Sequence, residues 1–312
     1  MSATTAVARP AAVTSPRVGA KLAATLGTRA GRWFVWLLAI LWTVPTFGLL
    51  LTSFRPERQI KTSGWWAFFK HPQTTFDNYF AVLGSRSGIN LGKYFFNSIK
   101  IAIPATLFSV AVASLASYAF SWMVFKGRDW LYIAIIGLLV VPLQMSIIPL
   151  LRLFNLGAHI GSVTVIPALH FSGLVQVWIA HCCFGMPFCL FILKNFVAAI
   201  PAELIEAGRI DGAGHMTLFR KVVLPLSTPA IASLGIFQFL FIWNDFFVGK
   251  IFAGGGDKAP ITAKLVEVSG NRGQDWHLLT SAAFISMLVP LAVFFSLQRY
   301  FVKGLLAGSV KG

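Results

Sequence analysis

Three adjacent residues, Trp243, Asn244 and Asp245, join an aromatic face to an amide and a carboxylate inside an apolar stretch long enough to cross a membrane. A ring that can stack on a sugar, beside groups that donate to and accept from hydroxyls, is chemistry suited to a polyol. Counted from Ala230 at about 1.5 Å per residue, Asp245 lies roughly 22 Å along a helix. It is the one carboxylate in the apolar part of a span, and an ionisable group there is a functional candidate by default. The alternative is a structural pairing with a neighbouring helix or a partner subunit. Gln144, Asn155 and Gln238 are further polar groups that could line a path, and Gln144 joins Trp243, Asn244 and Asp245 as the candidate set.

Bond-making chemistry finds no support. There is no Gly-x-x-x-x-Gly-Lys-Ser/Thr phosphate loop, no His-Glu-x-x-His and no Gly-x-Ser-x-Gly. His159, His170, His181, His215 and His277 are scattered; His170 and His181 could share a helical face but read as satisfied core histidines. Cys182, Cys183 and Cys189 lie in one apolar span without zinc spacing and act as small packing residues. The chain is therefore expected to be non-catalytic, with no metal and no cofactor of its own.

The polar interval 194–228 contrasts with everything around it. From Glu203 to Pro225 it is patterned as helix, turn, helix. Pro201 suits a helix start, and Glu203 and Glu206 sit near its positive end on one side. Asp211-Gly212 makes the turn, because glycine tolerates a positive φ. A second short helix from about Ala213 carries Arg220 and Lys221 and is expected to stop before Pro225 and Pro229. Such a unit is a compact knob between two spans.

Glu206-Ala207-Gly208, Asp211-Gly212-Ala213 and Val223-Leu224-Pro225 resemble the EAA loop of ABC importer permeases. Trp243-Asn244-Asp245-Phe246, the ending Gln298–Gly304 and Ala307-Gly308 are similar to the second permease subunit of maltose-type carbohydrate importers. One departure is Gly208, where the family pattern has a second alanine. The resemblance implies that Glu206, Ala207, Gly208, Arg209, Asp211, Gly212, Ala213, Leu224 and Pro225 form the cytoplasmic segment that docks onto ATP-hydrolysing subunits. Glu206 and Arg209 would make polar contacts, and the small residues would allow close backbone approach. The implied partners are a second, homologous permease, two ABC ATPases that bind ATP and Mg, and an extracytoplasmic sugar-binding protein.

Composition supports a membrane protein. Of 312 residues, 56% are hydrophobic and 12% charged, and the mean hydropathy is +0.74; a soluble domain carries about a quarter charged residues. The net charge of +16 lies largely in loops and tails, where it can face lipid headgroups rather than nucleic acid. An all-α, six-span architecture is predicted, with spans near 33–53, 96–125, 130–150, 173–196, 230–252 and 278–301. The six-helix domain thus covers 33–301, between an uncleaved flexible tail, 1–32, and a short tail, 302–312. Pro142 predicts a kink in span three, Gly185-Met186-Pro187 an interruption in span four. A short helix is expected near 163–169, an amphipathic one from Phe76, and a Gly-rich loop over 253–277.

Lys and Arg are nearly balanced across the two sides, but the short turn at Lys126–Arg128 favours cytoplasmic termini. The expected setting is a bacterial-type cytoplasmic membrane. The expected cargo is a di- or oligosaccharide such as an α-glucoside, maltose or trehalose, from overall resemblance. The competing reading is an ion-coupled secondary transporter using Asp245, which predicts inverted repeats that the sequence does not display.

Overall fold

Helix α4, Leu91–Trp122, is the element against which the others pack. The computed structural model describes residues 27–84, 88–269 and 275–309, with helices dominating the fold. One face of α4 buries Ala102, Ala105, Ser109, Ala113, Ser114 and Ser117. Small side chains let helix backbones approach closely, which drives packing where lipid supplies no hydrophobic contrast. The hydroxyls of Ser109, Ser114 and Ser117 donate to carbonyls of their own helix at 2.7–2.9 Å, so their burial leaves no donor unmet.

Among the described residues, five helices, counting one composite, are long and apolar enough to cross a membrane: α1 (Arg29–Ser53), α4, α7 (Gly173–Val197), the composite His215–Trp243 and α13 from Trp276. A bent pair, α5 (Arg128–Gly137, extended by a 3-10 turn) and α6 (Leu143–Leu156), meets at 113° and makes a sixth span if its two halves are counted as one. Pro142 therefore stands at a break, not a kink. It is the N-cap of α6, with Val141 extended at ψ 119°, the conformation that a following proline favours. Span four is the opposite case: α7 passes Gly185 and Pro187 uninterrupted. Both residues are buried there, and Gly185 takes the Gln238 side chain where a Cβ would collide with it.

The connections carry more structure than their composition suggests. After α1, helix α2 (Glu57–Thr62), a 3-10 turn at Trp65–Phe69 and α3 (Asp77–Leu83) fold around Arg55, which is 1% exposed. Its guanidinium donates to Ser63 O, Gln59 O and Ser63 Oγ. Over 163–169 a hairpin replaces the expected helix: β1 (Ala158–Ile160) pairs antiparallel with β2 (Val163–Ile166). Val163 and Val165 with Thr164 are β-branched, which favours the strand.

The Gly-rich segment also folds. Gly254, Gly255 and Gly256 take positive φ, and a 3-10 turn (Gly256–Lys258) leads into helix α12, Ile261–Ser269. Asn97 Nδ2 donates to Asp257 O and Ala259 O, and Ile261 N donates to Ser98 Oγ at 2.8 Å. Lys93 Nζ lies 2.7 Å from the Asp257 carboxylate and holds it below the usual carboxylate range. These contacts bind the segment to the start of α4. Helix α13 continues to Ser309, so the expected tail from 302 is helical that far. Most of the expected N-terminal tail, 1–26, lies outside the described residues.

Candidate coupling knob and polar groove

Helix α8, Ala202–Ile210, opens at Pro201, whose missing N–H costs nothing at a helix start. Its end turns at Gly212, φ +79°, a conformation that strains any residue with a Cβ. Three bonds close the turn: Asp211 N to Ala207 O at 3.0 Å, Gly212 N to Arg209 O at 3.0 Å, and Ala213 N to Gly208 O at 2.9 Å. Gly208 has a local reason as well, since a Cβ there would run into Leu218.

The second helix does not stop at the prolines. Helix α9 (His215–Leu218) passes through a π turn (Phe219–Val223) into α10 (Leu224–Trp243), one composite span. Pro225 lacks the donor for an α-type bond, and the wider π turn just before it accommodates that gap. The expected end before Pro225 is thus corrected: the knob's second helix and span five are one rod.

A cluster of Tyr118, Val197, Ile200, Ile205, Leu218, Phe219 and Val223 anchors the knob to the ends of α4 and α7. Three polar ties flank it. Arg209 Nη2 donates to Trp122 O at 2.9 Å, Trp122 Nε1 to Val197 O at 3.3 Å, and Tyr118 Oη lies 2.9 Å from His215 Nδ1. Outward, Glu206, Ala207, Arg209, Asp211, Gly212, Leu224 and Pro225 are exposed, while Gly208 and Ala213 are half-buried. Ile210 is 86% exposed beside the turn, so the tip presents one large apolar side chain among charges.

The second candidate site divides. Gln144, Asn244 and Asp245 line one open groove of about 640 Å³ with Leu143, Phe237, Leu240, Phe241, Phe246 and Phe247. The break in span three thereby faces the break in span five, where α10 ends and α11 (Phe247–Phe252) begins. Trp243 is not in the groove. It is 2% exposed, stacks on Phe239 at 5.7 Å, and donates from Nε1 to Ser286 O of α13. Gln238 is also internal, accepting from Cys189 Sγ and donating to Ser109 Oγ, both at 3.4 Å. Cys182, Cys183 and Cys189 are all free thiols.

Asp245 lies past the end of α10 rather than within a helix. Its carboxylate accepts from Gly249 N at 2.8 Å, and its carbonyl accepts from Thr262 Oγ1 at 2.6 Å. An acid at the start of α11 satisfies donors that would otherwise be orphaned. His181 of α7, which sequence reasoning set aside, is 3.8 Å away through Nε2. No group of three or more metal-ligating residues occurs among the described residues.

The bundle, its broken spans and its knob define a polytopic membrane permease. Residues 81–306 match the family described as binding-protein-dependent transport system inner membrane component, and the chain belongs to it. The osmoprotective compounds uptake permease protein GgtD of Synechocystis sp. is 49% identical, covering 88% of this chain and 89% of the relative. The α-glucoside transport system permease protein AglG of Rhizobium meliloti is also 49% identical, over 77% of this chain and 61% of that protein. A bacterial ABC transporter for the acidic polysaccharide alginate superimposes with a TM-score of 0.62 at 15% identity, covering 91% of this chain and 99% of that one; this likeness concerns the fold.

Proposed function

We propose that this chain is one of two paired permease subunits of an ATP-driven importer that carries a glucoside-type solute into the cytoplasm. Two ATPase subunits, holding ATP and Mg, dock on the knob at 202–225, and an extracytoplasmic binding protein delivers the cargo. The observation that carries this reading is the continuous rod from His215 to Trp243. Motion applied at the exposed Glu206–Gly212 tip passes through a rigid cluster into span five, whose far end carries Asn244 and Asp245. A soft loop would absorb that motion. The names of the two 49% relatives, one for osmoprotective compounds and one for α-glucosides, both fit a small polyhydroxylated cargo.

Asp245 supports this reading better than ion coupling, because its carboxylate is committed to capping α11. Purification in mild detergent should bring down an ATPase and a second permease, with hydrolysis stimulated by a sugar-loaded binding protein. Gly212→Pro and Glu206→Lys should keep the spans assembled but lower transport per ATP at least tenfold. Unchanged uptake by both variants removes the docking assignment, and a chain that purifies alone and transports under an ion gradient removes the importer.

A further inference from the structure

His181 is 1% exposed on α7, and neither of its ring nitrogens has a hydrogen-bond partner among the described residues. A neutral imidazole carries one donor and one acceptor, so both needs are unmet in a packed helix interface. The polar group facing it is the Asp245 carboxylate, with Nε2 3.8 Å from Oδ2, just beyond hydrogen-bonding range. Asp245 sits in the break between α10 and α11, where backbone can shift without dismantling a helix. Its position is set from two further sides, by Gly249 N on the carboxylate and Thr262 Oγ1 on the carbonyl. One residue earlier, Asn244 is exposed in the groove, with its amide donating to Leu240 O at 2.8 Å.

We infer that the buried His181 and the groove-lining Asp245 form a pair that positions the break in span five and thereby the groove-facing amide of Asn244. His181 acts through Asp245 and does not itself line the groove, so it is a positioning residue for solute passage. This inference rests on the groove being part of the solute path. It goes beyond a capping role for Asp245, because capping of α11 needs no partner on α7. The imidazole ties span four to span five at the level of the groove, whereas the Tyr118–His215 and Arg209–Trp122 contacts tie the bundle together at the knob. A rod moved at one end is thus registered against α7 at the other.

The test uses the full chain with its co-purifying partners in proteoliposomes, carrying Cys183→Ser and a reporter, Asn244→Cys. The rate of modification by a small hydrophilic thiol reagent reads the exposure of position 244. His181→Leu is expected to change that rate at least fivefold, and His181→Gln, which keeps a donor and an acceptor, to hold it within twofold. Asp245→Asn should change it in the same sense as His181→Leu, and the double variant should go no further. An unchanged rate in His181→Leu, or effects that multiply in the double variant, overturns the pair. Sugar-stimulated ATP hydrolysis of the parent complex, which retains Asn244, is measured alongside. Its absence overturns the importer reading, while the labelling still decides whether His181 positions the break.

Discussion

At the residue scale, two glycines four apart do different work, and their substitution separates the effects. Gly208→Ala offers about 1 kcal/mol of helix propensity, yet its methyl meets Leu218, which is buried within the anchoring cluster. Overpacking costs about 1–3 kcal/mol, so Gly208→Ala should lower the thermal midpoint of the purified complex. Pairing it with Leu218→Val should recover most of the loss. A raised midpoint in the single variant would mean that Leu218 swings aside. Gly212→Ala meets no neighbour and suffers from its φ alone, at about 1–2 kcal/mol. It should therefore be milder in transport than Gly212→Pro. The turn residues were legible because Asp-Gly chemistry is local. Trp243 was not: an aromatic beside Asn244 and Asp245 reads as a stacking ring until α13 is seen covering it. His181 was missed because its partner, Asp245, lies far along the chain, and Arg55 because its burial depends on how the segment after α1 folds back, although Gln59 and Ser63 are near in sequence.

At the element scale, five spans were legible from hydrophobic length, the expected third is a bent pair, and the knob was legible from its polar interval. Several failures concern elements that continue or begin against local signals. Pro225 reads as a terminator, but the preceding π turn absorbs it; Pro187 reads as an interruption, but α7 continues. Conversely, α12 lies in a segment whose glycines suggested only loop. Arg209 has an observed role besides the docking proposed for it, because it fastens α8 to the last carbonyl of α4. Arg209→Ala should lower sugar-stimulated hydrolysis by about two- to fivefold, from the loss of roughly 1 kcal/mol for an exposed charged hydrogen bond. Assembly with the second permease should be unchanged. At the other end, Lys93 and Asp257 pin the Gly-rich segment. The Asp257 carboxylate is held below its ordinary value, so the pin is fully present above the unfolded carboxylate pKa of about 3.9 and fades as pH falls through the folded one. Proteolytic nicking near 254–258 should thus be indifferent to pH between 6 and 8, about the neutral range, and rise in Asp257→Asn at any of those pH values.

At the scale of the whole molecule, the knob and the Gly-rich segment attach to opposite ends of α4. Trp122 holds the first and Asn97 with Ser98 the second. The helix has 32 residues, about 48 Å at 1.5 Å each, which exceeds the roughly 30 Å of hydrocarbon. The two segments therefore belong on opposite faces of any bilayer the bundle crosses. Net positive charge does not say which face is which, because long loops weigh little in the positive-inside rule. The proposed function would: a knob that receives ATPase subunits, as proposed above, has to be cytoplasmic, where ATP is. Single cysteines at Asp211 and Asp257, both exposed, turn this into a measurement in a background lacking the exposed Cys183. A membrane-impermeant maleimide applied to intact spheroplasts should label Asp257→Cys and reach Asp211→Cys only after permeabilisation. The reverse pattern would put the knob outside, strand it from any ATPase, and remove the physical basis for coupling through span five, whatever the family.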